Sequence, residues 1–250
     1  MQFVLHFHST HPLVLPISYH SEVQGMLYRI LSQSPAYSEF LHDEGYLLNG
    51  RKYKLFVYSL LSGKYDIHMP EIIFQGDFSL EVRSPKQNFC ELFTSALMKD
   101  ISLELNHQPI SLSSFEVHND KIDTDHVQID MLSPMCLHRT EKLGEDQSKT
   151  IYLEPTDPNF NTYLNMNLRH KLAASEDREP YGEIHLAPLY PDHGGMQKRD
   201  KYITRFDNRI LINAWRGKYR LSGDPRDLSF LYDAGLGTRN SQGFGMFRII

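Results

Sequence analysis

The residues best suited to chemistry near the C-terminus form a glycine-rich string. Residues 235–245 read Gly-Leu-Gly-Thr-Arg-Asn-Ser-Gln-Gly-Phe-Gly, with glycines at Gly235, Gly237, Gly243 and Gly245. Glycine lets a backbone approach a ligand closely, and successive N–H groups in such a loop can surround an anion. Arg239, Asn240 and Ser241 add donors suited to phosphate oxygens and base edges. The string predicts an anion-binding loop, with a tight helix-to-strand connection as the alternative.

A basic segment precedes this string. Between residues 197 and 220 the chain has two acidic residues and eight basic ones, a net charge of +6, whereas the whole chain carries −5. The basic residues are Lys198, Arg199, Lys201, Arg205, Arg209, Arg216, Lys218 and Arg220. The overall charge argues against indiscriminate binding of nucleic acid, for which a basic surface supplies most of the affinity. The segment is either a local basic face for nucleic acid or the solvated flank of a hairpin.

Hydrophobic periodicity in the first half predicts the elements that must position these groups. A strand at the N-terminus has Phe3, Leu5 and Phe7 on one face, and a helix follows with apolar residues at helical spacing. A second short helix begins at Ser34-Pro35 and ends near Gly45, because serine and proline favour helix starts and glycine favours helix ends. The predicted strands cover 1–8, 53–60, 77–83 and 114–118, and the predicted helices cover 21–31, 34–45 and 88–98.

The second half repeats this order without obvious sequence identity to the first. Its predicted strands cover 126–138, 183–190, 209–221 and 244–250, and its helices cover 157–172 and 225–232. The order β-α-β-β-α-β is the ferredoxin-like unit, which RRM domains share. We therefore predict an α+β protein with tandem ferredoxin-like domains. The polar stretch 118–125 should contain the boundary, which divides the chain into domains 1–122 and 123–250.

Composition limits the cellular setting and the metal chemistry. The 250 residues contain no apolar run near the roughly 18 needed to cross a bilayer, and the first residues read as a strand rather than a signal peptide. Two cysteines, Cys90 and Cys136, agree with a reducing compartment. We expect a cytoplasmic protein without a membrane partner. His6, His8 and His11 lack neighbouring cysteine or acidic ligands, as do His185 and His193, so no metal site is predicted.

A family resemblance comes from the C-terminal string. Residues 234–246, Ala-Gly-Leu-Gly-Thr-Arg-Asn-Ser-Gln-Gly-Phe-Gly-Met, resemble the glycine-rich signature of CRISPR-associated repeat endoribonucleases. This family belongs to the RAMP superfamily, and its signature ends Asn-Ser-x-Gly-Phe-Gly-Met, as residues 240–246 do here. The string is neither a Rossmann fingerprint nor a P-loop, because it precedes a strand and lacks Gly-Lys-Ser/Thr.

Three strings in the first half resemble the same family. They are 24–28 (Gln-Gly-Met-Leu-Tyr), 40–45 (Phe-Leu-His-Asp-Glu-Gly) and 53–59 (Tyr-Lys-Leu-Phe-Val-Tyr-Ser). The family's tyrosine ends the first string, its histidine follows leucine in the second, and its lysine stands just ahead of Leu-Phe-x-x-Ser in the third. The resemblance therefore implies that Tyr28, His42 and Lys54 are catalytic residues.

The resemblance implies metal-independent cleavage of CRISPR repeat RNA that uses no cofactor. The RNA 2′-hydroxyl would attack the neighbouring phosphate and leave a 2′,3′-cyclic (or 3′) phosphate and a 5′-hydroxyl. A histidine can transfer protons near neutral pH and a lysine can stabilise the added negative charge. The glycine-rich string and the basic segment would hold the RNA. The enzyme could keep its product, join other subunits of an interference complex, or dimerise.

Two further hypotheses concern His42 and the function itself. His42 falls in the last turn of the predicted helix over 35–44, where the helix dipole favours a cation, so we expect it to act as the general acid. The first alternative to the enzyme is a catalytically silent subunit that binds CRISPR RNA. The second is an unrelated ferredoxin-like binding protein, against which the basic segment beside a glycine-rich loop argues.

Overall fold

The fold of the first half follows from one face of each strand being apolar. The computed structural model describes residues 1–99, 101–142, 144, 147–189, 200–207 and 209–250. Phe3, Leu5 and Phe7 alternate along the first strand, and all are buried. In chain order the elements are β1 (Gln2–His8), β2 (Leu13–Pro16), α1 (His20–Leu31), α2 (Pro35–Glu39), a π-helical turn (Phe40–Glu44), β3 (Tyr46–Leu48), β4 (Arg51–Tyr53), β5 (Val57–Tyr58), β6 (Ser62–His68), β7 (Glu71–Arg83), α3 (Gln87–Leu97), β8 (Leu103–Leu105) and β9 (Gln108–His118).

The first sheet is antiparallel, in the order β2-β7-β1-β9-β8, with β5 and β6 also paired to β7. Its four central strands run β9-β1-β7-β5, which places the first and third strands of the β-α-β-β-α-β unit at the centre. Helices α1 and α3 cover the apolar face, because α1 buries Val23, Leu27 and Ile30 while α3 buries Phe89 and Phe93.

The second half builds another sheet of the same order. Its elements are β10 (His126–Met131), β11 (His138–Lys142), β12 (Ser148–Tyr152), α4 (Phe160–Glu176), β13 (His185–Pro188), β14 (Lys201–Phe206), β15 (Ile210–Trp215), β16 (Lys218–Ser222), α5 (Pro225–Ala234), a 3-10 turn (Asn240–Gln242) and β17 (Phe247–Ile249). The sheet order is β13-β16-β10-β17, again antiparallel. The hairpins β11–β12 and β14–β15 are additions to this unit. The α+β, tandem ferredoxin-like prediction is confirmed.

Several predicted strands have different bounds. The strand predicted over 53–60 is broken because Leu55 has φ +53° and turns its side chain into the second core, leaving β4 and β5 as separate strands. The strand predicted over 126–138 ends at Met131, and His138 begins the β11–β12 hairpin. The segment 209–221 is two strands, because Gly217 with φ +121° lies between β15 and β16. The last strand is only β17, because residues 235–246 fold as a compact loop.

Contacts across the two halves involve a buried arginine. Arg83, at the end of β7, donates a hydrogen bond of 2.7 Å to the carbonyl oxygen of Phe247 in β17. Its guanidinium lies 3.9 Å from the centroid of the Tyr232 ring in α5. The two sheets draw their strands from residues 2–118 and 126–249, and the division at residue 122 stays a prediction. Within the described part of the chain, no helix has the length and apolar character needed to cross a membrane.

The close packing of the C-terminal loop gives a prediction about stability. Gly245 has φ +87°, and a Cβ at this position would collide with the carbonyl oxygen of Leu236. We expect Gly245→Ala to cost about 3 kcal/mol, because a left-handed φ and a backbone clash coincide. This should lower the midpoint of thermal unfolding by roughly 6–12 °C.

The matched control is Gly25→Ala in α1. A Cβ there meets nothing within 4 Å, and alanine favours a helix interior more than glycine does. Gly25→Ala should be neutral or stabilise the protein by up to about 1 kcal/mol. An unfolding midpoint for Gly245→Ala equal to that of wild type would contradict the packing described for the loop.

Candidate functional site

His42 and Tyr28 meet at the surface of the first half. The π-helical turn carries His42 and ends at Gly45, while Tyr28 comes from the last turn of α1. The ring centroids of Tyr28 and His42 are 5.9 Å apart with an interplanar angle of 79°, an edge-to-face contact. The His42 side chain is exposed, and burial raises the pKa of Tyr28 to about 12. Tyr28 is therefore a protonated phenol at neutral pH, beside an accessible imidazole.

Lys54 joins this pair from the other side. Its ammonium donates hydrogen bonds to the carbonyl oxygen of Leu41 and, over 2.7 Å, to that of His42. These carbonyls belong to the end of the helix, where such groups lack intrahelical partners and where a cation is favoured by the dipole. Partial burial, together with the charge of Lys52, lowers the pKa of Lys54. Three segments of chain thus bring Tyr28, His42 and Lys54 together.

Asp43 orients the imidazole of His42. Nδ1 of His42 lies 2.6 Å from Oδ1 of Asp43. This hydrogen bond lowers the pKa of the Asp43 carboxyl, so Asp43 is ionised at neutral pH and accepts the Nδ1 proton. Nε2 is then the nitrogen of His42 that can act on a substrate.

Gly45 allows Lys54 to reach the helix end. Its backbone has φ +63° and ψ −170°, a region that is essentially restricted to glycine. A Cβ at this position would lie 2.8 Å from the carbonyl oxygen of Tyr53 and 3.3 Å from Cδ of Lys54. A side chain here would push the Lys54 segment away from the turn that carries His42.

A cleft of about 660 Å³ extends from Lys54 to the glycine-rich loop. Its wall combines the β4 segment, β11, α4 and residues 237–242, and all the charged side chains of the wall are basic. The basic and histidine side chains in the wall are Arg51, Lys52, Lys54, His138, Arg139, His170, Lys171 and Arg239. Lys171 is buried and donates a hydrogen bond of 2.7 Å to the carbonyl oxygen of Gly235. A polyanion is the ligand that such a wall favours.

The glycine-rich loop contributes to this cleft differently from the prediction. Instead of pointing at a ligand, the backbone amides of Gly235, Gly243 and Gly245 donate to carbonyl oxygens of Leu231, Asn240 and Pro134. All four glycines of the loop are buried. The side-chain amide of Asn240 donates two hydrogen bonds, one to the carbonyl oxygen of Leu236 (3.0 Å) and one to that of Phe244 (2.8 Å).

The accessible part of the loop is its outer turn. Arg239 has φ +62° and donates to Oε1 of Gln242 over 2.9 Å. Arg239, Asn240 and Ser241 all belong to the wall of the cleft, as does Gly237, and Gln24 of α1 donates to the carbonyl oxygen of Ser241. Four of the seven loop residues predicted to bind RNA therefore share one cavity with Lys54, whereas Gly235, Gly243 and Gly245 do not line it.

His20, at the start of α1, was missed by the sequence reasoning. It is buried, its ring stacks on Phe244 with centroids 4.6 Å apart, and Nδ1 lies 3.0 Å from the carbonyl oxygen of Gln242. Nε2 lies 3.1 Å from the hydroxyl of Tyr202 in β14. Burial lowers the pKa of His20 to about 4, so the ring is neutral. No motif signals this residue, since its partners are about 180 and 220 positions away in sequence.

The other described residues that were predicted to bind RNA do not line the cleft. Lys201 and Arg205 are exposed on β14, while Lys198 and Arg199 lie outside the described residues. The wall residues His138, Arg139, His170 and Lys171 were not predicted, because they lie far from Lys54 in sequence. Arg51 and Lys52, in contrast, could have been found from their closeness to Lys54.

Two of the histidines considered for a metal site have carboxylate partners. His6 lies 3.3 Å from Glu116, and His8 lies 2.7 Å from Asp77. In the part of the chain that the structure describes, no three histidine, cysteine, aspartate or glutamate side chains are grouped as metal ligands. His193 lies outside that part.

Comparison with known proteins decides the family. The family model described as CRISPR associated protein Cas6, C-terminal, matches residues 117–249, more than half of the chain. The chain belongs to the Cas6 family. The resemblance found in the sequence is therefore confirmed at the level of the family.

Curated relatives of this Cas6 protein extend over nearly its whole length. The CRISPR-associated endoribonuclease Cas6 1 of Methanocaldococcus jannaschii is 28% identical, over 98% of this chain and 91% of the relative. The CRISPR-associated endoribonuclease Cas6 of Pyrococcus furiosus is 22% identical, over 94% and 83%.

Solved structures show the same fold. A structure titled CRISPR associated protein Cas6 has a TM-score of 0.80 and 24% identity, covering 100% of this chain and 99% of that one. A Cas6-related protein of Pyrococcus furiosus has a TM-score of 0.82 and 18% identity, covering 100% and 98%.

The buried, neutral His20 predicts how stability depends on pH. Because the pKa is about 4 in the folded protein and 6.5 in the unfolded chain, the unfolded chain binds more protons between these values. The stabilisation is complete above pH 6.5 and falls as pH drops towards 4, by about 3 kcal/mol in all. Urea unfolding at pH 7.0 and pH 4.5 should show this loss.

The comparison variant is His20→Gln, whose amide can replace one donor and one acceptor but does not titrate. It should be less stable than wild type at pH 7, and its stability should fall less between pH 7.0 and 4.5. An identical fall in both proteins would show that His20 is not neutral and buried as described.

Proposed function

We propose that this Cas6 family member is an endoribonuclease that cleaves CRISPR repeat RNA and so matures CRISPR RNA. The observation that carries the proposal is the convergence of Tyr28, His42 and Lys54 at the edge of a basic cleft. Both curated relatives reported above are named endoribonucleases, and both match most of this chain. Cleavage of RNA by its own 2′-hydroxyl needs a general acid, a cation near the phosphate and a hydrogen-bond donor. His42, Lys54 and Tyr28 supply one each.

We assign the proton transfer to the leaving group to His42. The RNA 2′-hydroxyl attacks the adjacent phosphorus, its proton passes to water, and the bond to the 5′-oxygen breaks as His42 Nε2 delivers a proton to that oxygen. The products are a 2′,3′-cyclic phosphate and a 5′-hydroxyl. General acid catalysis of this kind contributes typically about 10²–10⁴-fold. The hydrogen bond between Nδ1 and ionised Asp43 supports the role, because it orients the ring and leaves Nε2 for the leaving group.

Lys54 and Tyr28 act on the phosphate in this scheme. Two of the three N–H groups of the Lys54 ammonium donate to carbonyl oxygens at the helix end. The third can donate to a phosphate oxygen on which negative charge develops in the transition state. Tyr28 stays protonated because its pKa is raised, so it serves as a hydrogen-bond donor to the phosphate or the nucleophile rather than as a base. No step in this scheme requires a metal ion.

The cleft and the β14–β15 hairpin would hold the RNA. Arg239 and Ser241 line the cleft, while Lys201 and Arg205 are exposed on the hairpin, so these side chains can reach phosphate oxygens. The side-chain amide of Asn240 donates within the loop, so we assign Asn240 the part of shaping the turn that presents Arg239 and Ser241. We assign the glycines Gly235, Gly237, Gly243 and Gly245 an indirect part, in which they let the loop fold against its neighbours. Lys198 and Arg199 remain predicted contacts, as do retention of the product, other interference-complex subunits, a homodimer and a cytoplasmic location.

The first test is cleavage of the host's own repeat RNA with EDTA present. Wild type should cleave once within the repeat and leave a cyclic phosphate, and His42→Ala should be slower by about 10²-fold or more. His126→Ala, which removes an exposed histidine of β10 away from this site, is the matched control and should cleave like wild type. Binding without cleavage by wild type would instead indicate a silent RNA-binding subunit, and loss of cleavage in EDTA would refute metal independence.

The role of His42 as acid has a separate test. In a repeat RNA whose scissile 5′-oxygen is replaced by sulfur, the leaving thiolate needs little help from an acid. The defect of His42→Ala measured in single turnover should then shrink to less than about tenfold. A defect of the same size on the oxygen and sulfur substrates would mean that His42 does another task.

A further inference from the structure

The outer strand β6 of the first sheet has a free edge. It is seven residues long and pairs with β7 on one side, and among the described strands none pairs with its other side. All seven of its side chains are exposed. The outward N–H and C=O groups of such an edge have no strand partner, so the edge is a template on which another strand can add.

The free edge of β6 is regular. Proteins protect free edges with proline, with bulges or with charge, and β6 contains no proline. Its register with β7 shifts between Gly63 and Tyr65, but the extra residues belong to β7, where residues 75–77 stand against the single residue Lys64. The outer edge of β9 is also partly free, but there the extra residue, Ser113, belongs to β9 itself. The edge of β6 is therefore protected by charge alone.

One face of β6 is apolar. Tyr65 and Ile67 point to the same side of the strand and are 49% and 54% exposed. Met69, next to the end of the strand, is 75% exposed. The rings of Tyr65 and Phe74 have centroids 5.4 Å apart, so this face extends the buried surface of β7 outwards. A row of large apolar side chains beside a free edge is typical of an interaction surface.

The charges of β6 are complementary to those of a second copy of β6. Lys64 and Asp66 point to one face and flank Tyr65. If two copies lie antiparallel with a two-fold axis at Tyr65, Lys64 of each copy stands opposite Asp66 of the other. Cβ atoms of opposite residues are about 4.5–5.5 Å apart in such a pair, which is close enough for both ion pairs. The same register sets Ile67 opposite Gly63, which leaves room for its side chain.

Other registers lack this match. Opposite residues of an antiparallel pair point to the same face, so the two-fold axis must fall on a residue. An axis at Lys64 brings two ammonium groups together, and an axis at Asp66 brings two carboxylates together. Like charges directly opposite each other are destabilising. An axis nearer either end of the strand shortens the paired segment. The charge that protects the edge against other strands thus favours one pairing of β6 with itself.

We propose that two copies of this protein associate by antiparallel pairing of β6 with β6, in the register that joins Lys64 to Asp66 twice. The interface is isologous, since the same surface of each copy supplies both halves. Tyr28, His42 and Lys54 lie outside β6, so each copy keeps its own site. The association depends on this edge and not on the RNA reaction.

The test combines two charge-reversal variants, Lys64→Glu and Asp66→Lys, without RNA. Wild type should form a reversible dimer in sedimentation velocity, with a dissociation constant of roughly 1–100 µM. Each single variant carries one sign of charge on β6, so its own dimer should be weaker by about tenfold or more. An equimolar mixture restores both opposite-charge pairs and should form a heterodimer about as tight as the wild-type dimer. The double variant Lys64→Glu/Asp66→Lys exchanges the two charges and should dimerise like wild type.

The matched control is Asp123→Lys, which reverses an exposed charge between β9 and β10. It should form homodimers like wild type. Mixed with Lys64→Glu, it restores only one of the two charge pairs and should bind that variant more weakly than Asp66→Lys does.

Three results would overturn the inference. The first is a wild-type chain that stays monomeric up to about 200 µM. The second is a wild-type dimer that neither charge reversal weakens, because the contact then lies on another surface. The third is a mixture of the two weakened variants that stays dissociated, because the register is then wrong. Cleavage of repeat RNA is measured separately, so failure of the dimer leaves the proposed function standing.

Discussion

The site depends on the contact between the Lys54 ammonium and the carbonyl oxygens of Leu41 and His42. A hydrogen bond from a charged donor contributes about 1.5–3 kcal/mol, enough to fix the end of a short helix. The contact holds His42 beside Tyr28 and keeps the Lys54 ammonium next to the same surface. Gly45 is required because a side chain there would meet Tyr53 and Lys54.

A second set of contacts joins this surface to the C-terminal loop. Leu55 follows Lys54 directly and enters the core of the second half, which sets Lys54 at the edge of the basic cleft. His20 begins the helix that carries Tyr28, and it stacks on Phe244 of the loop. The converging side chains of the first half and the cleft, whose wall both halves build, are therefore parts of one packed unit.

The sequence predicted the order of elements and the three converging residues, because each depends on a local pattern or a short string. It failed where the tertiary structure overrides such patterns. The left-handed φ of Leu55 breaks a predicted strand, since its side chain gains burial in the second core. The glycine loop was predicted to offer its amides to a ligand, but close packing uses those of Gly235, Gly243 and Gly245 internally. His138 and His170 line one cleft only because β11 and α4 both contribute to its wall, which no short motif encodes.

The most direct test of the central claim is a double-mutant cycle between Lys54 and His42, measured as single-turnover cleavage of repeat RNA. If Lys54 positions His42, the substitutions Lys54→Met and His42→Ala damage one unit, and the double variant should be within about tenfold of the slower single variant. Independent contributions would instead multiply the two losses. A double variant slower than wild type by the product of the two single losses would contradict the account.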